Sequence, residues 1–421
     1  MSVNQDKLNE QLLNVVLSDK DDVEAKFKKI KYLVKLGADV NANIFGKSIL
    51  SKVKHADNVK EEVREFLKSI GAKEYVCSKD KAEELGRGFW DENGKVKSLD
   101  EIKKSVRDGA NLGVFSVKGQ QIWKYLSSDE IDELLKILPK GYEIDGGVYL
   151  NKMKMTKLPD FSKIKVKGDF ECSDNMLSSL EGAPLEVGGD FFCSQCGLKS
   201  LIGLPLEVGR SFSCYGNDLS SLEGGPKKVG QNFHCGGNKL QDLCGAPDKI
   251  LGNFNCSHNE LKTLKGAPLE VGNDFRCGYN ELQTLEGAPK KVGTRFICYY
   301  NKLTSLKGAP LEVLGEFDCS HNELSDLVGA PLVVGSFYCN NNILTSLKGA
   351  PKKVKKYFTC KENPLRSLEG KPLEIGGEFF IEDEVLEYIK KREKKAKGKE
   401  EFNKAFKGVK SLLSNIWEKG R

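Results

Sequence analysis

Apolar and polar positions repeat with a fixed period over more than half of the chain. Cysteine recurs at Cys172, Cys193, Cys214, Cys235, Cys256, Cys277, Cys298, Cys319, Cys339 and Cys360, a spacing of 21 residues broken once by 20. Phenylalanine precedes each by two residues, from Phe170 and Phe191 through Phe275 and Phe296 to Phe337 and Phe358. A two-residue period puts both side chains on one face of a strand. Asparagine follows three residues after the cysteine in nine of the ten units, leucines at plus five and plus eight, glycine at plus ten, proline at plus twelve and Val or Ile at plus fifteen. The segment Val271 to Pro289, VGNDFRCGYNELQTLEGAP, carries the whole pattern.

One such unit cannot bury its own Phe and Cys, so neighbouring units must stack to make the core. Cysteine suits that interior because it is small and apolar. Asparagine suits the strand end because its amide both donates and accepts where backbone groups are buried. After one short strand and its turn only about ten residues remain, and they include Gly and Pro, which excludes a long helix on the opposite side. The pattern degrades at both ends. Val148, Leu150, Met155 and Leu158 occupy the core slots at the front, with Met153 in place of asparagine, while Phe379 and Ile381 form a last strand. The count is then twelve strands in the Phe-Cys array.

Phe275, Cys277, Asn280 and Leu282 fill the slots of the L-x-L-x-x-N-x-L core, and Val148 to Asp383 resembles the leucine-rich-repeat family in its 21-residue bacterial and viral form. The resemblance implies a curved solenoid with a parallel β-sheet and recognition of a macromolecule on its concave face. Near the start, IKYLVKLGADVNAN from Ile30 to Asn43 resembles the second helix and loop of an ankyrin repeat, with further copies beginning at Val63 and Ile102. Four parts are therefore expected: ankyrin-like helices over 1–75, a helical region capping the solenoid over 76–147, the solenoid over 148–383, and a basic helical segment over 384–421. Ser98 with Glu101 and Ser127 with Glu130 have capping-box spacing and should start helices. Phe402, Ala405, Phe406, Val409, Leu412, Leu413, Ile416 and Trp417 recur at helical spacing. That helix is read as a cap on the last turn, with partner docking or weak membrane-surface contact as alternatives.

Composition narrows the function. The net charge is +6, and residues 384–421 alone hold 12 Lys/Arg against 6 Asp/Glu, so the remainder is formally neutral and offers no basic face for specific nucleic-acid binding. The start is charged at once and lacks a signal-peptide pattern, and no apolar run approaches a transmembrane length. With ten of 13 cysteines in one architectural column, a reducing, cytoplasmic setting is expected, in the protein's own cell or a host. Cys193-Ser-Gln-Cys196 reads as architecture, since Cys196 stands in the asparagine slot, and Gly46-Lys47-Ser48 lacks the upstream glycine of a phosphate loop. His258 and His321 lie three units apart, roughly 14 Å by strand spacing, too far to share a metal. No cofactor and no catalytic constellation is expected.

The favoured function is a non-catalytic scaffold that binds a protein; a structural spacer, or an enzyme with its site in the N-terminal helices, are the alternatives. If Phe and Cys point inward, the residues between and beside them point out. Those columns vary from unit to unit. They bring His258, Arg276, Tyr279, Arg295, Tyr299, Tyr300, His321 and Tyr338 onto neighbouring strands, and Tyr and Arg are the residue types enriched at binding hot spots.

Overall fold

The computed structural model describes residues 95–112 and 122–392 without a break, together with 89–91, 394, 395, 399 and a scatter of positions before residue 68. Two compact units divide the chain: Met1–Tyr149 with Lys165–Asp169, and Leu150–Ile164 with Phe170–Arg421.

In the first unit, helices α1 (Leu99–Arg107) and α2 (Ser128–Lys136) begin where the capping boxes place them. Ser98 N donates to Glu101 Oε2 at 3.0 Å and Ser127 N to Glu130 Oε2 at 2.8 Å, so each glutamate satisfies a backbone donor that helix geometry leaves open. Ile102 on α1 and Ile131 and Leu134 on α2 are buried, as is Trp123 of a single 3-10 turn between the helices. Lys103 Nζ joins Glu133 across the helix pair at 2.7 Å. Of the ankyrin-like segments, helical positions at Leu12, Ile30, Val63 and Leu67 are described and buried, and Asn43–Ile44 pairs antiparallel with Lys47–Ser48. Lys47 and Ser48 thus belong to a hairpin strand.

The second unit is a parallel β-solenoid of about 11 turns. Each turn contributes a Phe strand, such as Phe254–Asn255, Phe275–Arg276 and Phe296–Ile297, paired in register with its neighbours: Phe254 with Phe275, Phe275 with Phe296. The single strand per turn expected from the sequence is corrected to two. Residues ahead of the Phe strand form a second, Val strand, such as Glu270–Val271 and Lys291–Val292, with its own parallel register. A strand with one inward residue shows no alternation in a sequence, unlike Phe-x-Cys, and the Val noted at plus fifteen is that single inward residue.

Between the two sheets the columns close on each other. Every Phe two residues ahead of a ladder cysteine, every ladder cysteine and the plus-five and plus-eight leucines from Leu198 to Leu347 have no exposed area. Adjacent rings stack down the axis, Phe254 on Phe275 at 5.7 Å between centroids and Phe317 on Phe337 at 5.4 Å. The thiols are also hydrogen bonded: Cys256 Sγ donates to Arg276 O at 3.3 Å on the next turn. Burial pushes the Cys214 thiol up to about 12, so these sulfurs stay protonated at neutral pH. All twelve described cysteines are free thiols.

Each asparagine ties its turn to the one before. Asn280 Nδ2 donates to Cys277 O at 3.0 Å in its own turn and to Cys256 O at 3.2 Å in the preceding turn, while its Oδ1 accepts from Leu261 N at 3.1 Å. The residue just ahead of it, Tyr279, has φ +55, and the same slot is left-handed at Asp174, Gln195, His258, Tyr300, His321, Asn341 and Glu362. Further round the turn, Gly287 adopts φ +89 where an added Cβ would come within 2.8 Å of Leu264 backbone, so both conformation and space demand glycine.

The one 20-residue spacing falls at a corner. Val334 is followed by only Gly335 and Ser336 before Phe337, whereas Val313 is followed by Leu314, Gly315 and Glu316 before Phe317. The corner there straightens into long strands, Glu312–Asp318 and Val333–Tyr338, whose register shifts between Val313 and Glu316. That shift is a bulge forced by two strands of unequal length. After the last Phe strand, Phe379–Phe380, residues 383–392 form helix α3, with Ile389 buried. The amphipathic pattern from Phe402 to Trp417 lies outside the described residues.

Cys196 breaks the asparagine pattern in a measurable way. Its Sγ donates to Cys172 O at 3.2 Å, standing in for the amide nitrogen, but it offers no oxygen to Leu177 N–H, which in other turns bonds the asparagine Oδ1. Cys196→Asn should therefore stabilise the protein by about 1 kcal/mol. A urea titration with amide exchange at Leu177 checks it: a raised midpoint and slower exchange are expected, and an unchanged Leu177 amide would contradict the assignment.

Candidate functional site

The left-handed slot positions a set of rings that no strand could hold in this way. Side chains at that slot project at the end of the Phe strand, one per turn, so consecutive aromatic residues there must lie one above the next. His258, Tyr279, Tyr300 and His321 form a single stack, with centroids 4.2, 4.7 and 4.1 Å apart and ring planes within 13, 7 and 7° of parallel. Tyr299 meets this stack edge-on, 5.4 Å from Tyr279 and 5.8 Å from Tyr300. It lies over Gly278, where a Cβ would come within 3.1 Å of the ring. The stacked faces cover each other, so the rings present mainly their edges, with Tyr279 40% and Tyr300 44% exposed. In the turns ahead, Gly216 and Gly237 occupy the slot and end the stack at His258.

The two arginines belong to a different arrangement. Arg295 donates through Nε to Asp274 Oδ1 at 3.1 Å and through Nη2 to Oδ2 at 2.6 Å, and Arg276 Nη2 reaches the same Oδ2 at 3.0 Å. Asp274 is almost buried while both guanidiniums remain about 40% exposed. Burial works against the charge on Asp274, but hydrogen bonds from Arg295 and Arg276 outweigh it and hold the carboxyl below the usual carboxylate range. Sequence reading missed Asp274. The signal was available: Asp274 and Arg295 are 21 residues apart, the same column on neighbouring turns.

Tyr338 stands apart from the stack, directly opposite Asp318 in the strand register. Burial pushes both groups up, the Tyr338 hydroxyl above its ordinary range and the Asp318 carboxyl above that of a solvated aspartate. Asp318 Oδ1 accepts from Ser320 N at 2.9 Å. The eight predicted residues thus fall into three groups within one stretch of turns: the stack with Tyr299, the Asp274-centred arginine pair, and Tyr338 beside Asp318.

The two outward faces differ in chemistry. On the Phe strands, neither the column before the Phe nor the one after it holds a lysine between Asp190 and Phe380. The Val strands carry Lys228, Lys249, Lys291 and Lys353 in the equivalent column, joined to glutamates of neighbouring turns, as in Lys249–Glu270 at 2.8 Å and Lys291–Glu270 at 2.9 Å. No group of three or more His, Cys, Asp or Glu suited to a metal occurs among the described residues, and none of their helices is long and apolar enough to cross a membrane. Fold and surface define a repeat solenoid with one aromatic face that holds no lysine in the turns from His258 to Tyr338, although Lys361 lies over the Phe380 ring at 5.8 Å beyond them. No model of a known protein family matches the chain, and no curated protein matches it.

Asp318 supplies a pH test of this geometry. Its folded pKa is raised, so the stability it gives is fully present below the unfolded value, about 3.9, and is lost as pH rises through the folded value. Asp318→Asn should accordingly raise the denaturation midpoint at pH 7, and the advantage should shrink to nothing as pH falls below about 3.9. An advantage that persists at acid pH would mean that desolvation is not its cause.

Proposed function

We propose that the protein is a non-catalytic scaffold that recognises another protein through the outward face of the Phe strands, centred on the turns from His258 to Tyr338. The observation that carries this reading is the aromatic stack held on left-handed backbone. A bulky residue at positive φ costs roughly 1–3 kcal/mol, which glycine avoids. Gly216 and Gly237 make that cheaper choice in the same column. Each stacked pair returns about 0.5–1.5 kcal/mol, so stacking offsets only part of the strain of four such residues. Structure alone gives weak reason to keep them, whereas rigid aromatic edges beside arginine match the composition of binding hot spots. The absence of lysine from this face in the turns from His258 to Tyr338 points the same way, since lysine is depleted at interfaces.

On this reading the solenoid is a leucine-rich-repeat variant with cysteine in a leucine slot, the N-terminal segments are degenerate ankyrin repeats, and the protein works in the cytoplasm. The spacer reading leaves part of the cost of Tyr279 and Tyr300 without a return.

Replacing Tyr279 and Tyr300 together by glycine relieves the backbone and removes the stack. Affinity capture from the source cell with the full chain should yield a dominant protein partner that the double variant loses, while the variant's denaturation midpoint is unchanged or raised. Capture that survives the double substitution, or no partner at all, would refute the proposal.

A further inference from the structure

Arg276 stands on the outward row between Asn255 and Ile297, its register partners on the two flanking strands. It commits Nη2 to Asp274, and its Nε and Nη1 meet no acceptor among the described residues. Asp274 shares its one negative charge with Arg295, which makes three hydrogen bonds to it. Two guanidiniums against one carboxylate leave a single positive charge. Glu316 lies within electrostatic reach of Arg295 and offsets part of that charge, so the Arg276 side is marked by its unused donors Nε and Nη1. There, Asn255 Oδ1 is occupied by Ser257 N at 3.0 Å, which leaves Nδ2 as the donor of that amide. Ile297, only 9% exposed, closes the other flank with apolar surface. Tyr299 and His234 both lie within the field of Arg276.

We propose that Arg276, with Asn255 Nδ2 beside it, binds a carboxylate presented by the protein partner, from an acidic side chain or a chain terminus. The source of the carboxylate rests on the recognition reading above; the site itself does not. A guanidinium offers planar, paired donors that match a carboxylate, and bracing by a nearly buried aspartate removes much of the entropy that a free arginine would lose on binding. One planar fork of donors matches one carboxylate. A phosphate dianion would bring a second, uncompensated charge beside Asp274 and Glu316.

The full-length protein titrated with sodium acetate at constant ionic strength, followed by nuclear magnetic resonance, tests the site. Acetate should shift the Arg276 Nε–H signal saturably. It should also raise the His234 titration midpoint, which burial and then the charge of Arg276 hold below the ordinary histidine range, because a bound anion offsets that charge. In Arg276→Gln, Asp274 keeps Arg295, so the fold should survive and acetate binding should weaken at least about tenfold. Arg276→Lys keeps the charge without the planar fork and should weaken binding about threefold. No saturable response, an undiminished response in both variants, equal binding of neutral N-methylacetamide, or tighter binding of inorganic phosphate than of acetate would each overturn the assignment. Failure of the recognition reading shows instead as partner capture that survives loss of Tyr279 and Tyr300.

Discussion

The asparagine amide at the end of each Phe strand is the interaction on which the solenoid depends. Parallel strands joined only by their ladders leave the backbone unpaired where each chain turns away, and that region is buried here. Asn280 answers three carbonyls and one N–H there, in two different turns. Repeating that bridge couples each asparagine-bearing turn to the one before it, and Cys196 Sγ supplies half of it where asparagine is missing. Phe, Cys, Leu and Val columns then supply burial, and the thiols add bonds to carbonyls of the next strand.

The same corner builds the surface. To aim the asparagine inward the backbone must pass through a left-handed residue immediately ahead of it, and this slot throws its side chain to the strand end once per turn. Where it holds Gly237 the surface is bare; where it holds His258, Tyr279, Tyr300 and His321 the periodicity of the core forces an external stack. Core regularity and candidate recognition site are two consequences of one turn geometry. The bulge beside Glu316 and the braced arginine pair lie in the same run of turns.

Much of this was legible in the sequence because a column of identical residues at fixed spacing has one physical meaning, a shared environment in stacked turns. Phe, Cys, Asn and Leu declared themselves in that way, and the capping boxes at Ser98 and Ser127 fixed two helix starts through local chemistry. The Val strand was hidden because it has one inward residue and no second at a spacing of two, as Phe-x-Cys has. Left-handed backbone was hidden because Asp, Gln, His, Tyr, Asn and Glu share the slot with Gly216 and Gly237, masking the glycine signal. Arg276 and Arg295 were visible as outward residues, but their common partner Asp274 appears only when columns are compared across neighbouring turns. The stacking of His258 and His321 on the tyrosines likewise follows from a backbone angle that composition does not reveal.

The bridging role of the asparagine is tested most directly by amide hydrogen exchange on Asn280→Ala. The substitution strands Cys256 O, Cys277 O and Leu261 N–H together, a loss of about 2–4 kcal/mol. Exchange should accelerate in the Phe275 turn and equally in the preceding Phe254 turn, with Leu261 among the most affected amides. Acceleration confined to the substituted turn would contradict the account, because it would mean that the asparagine serves its own turn and that the turns are held together by something else.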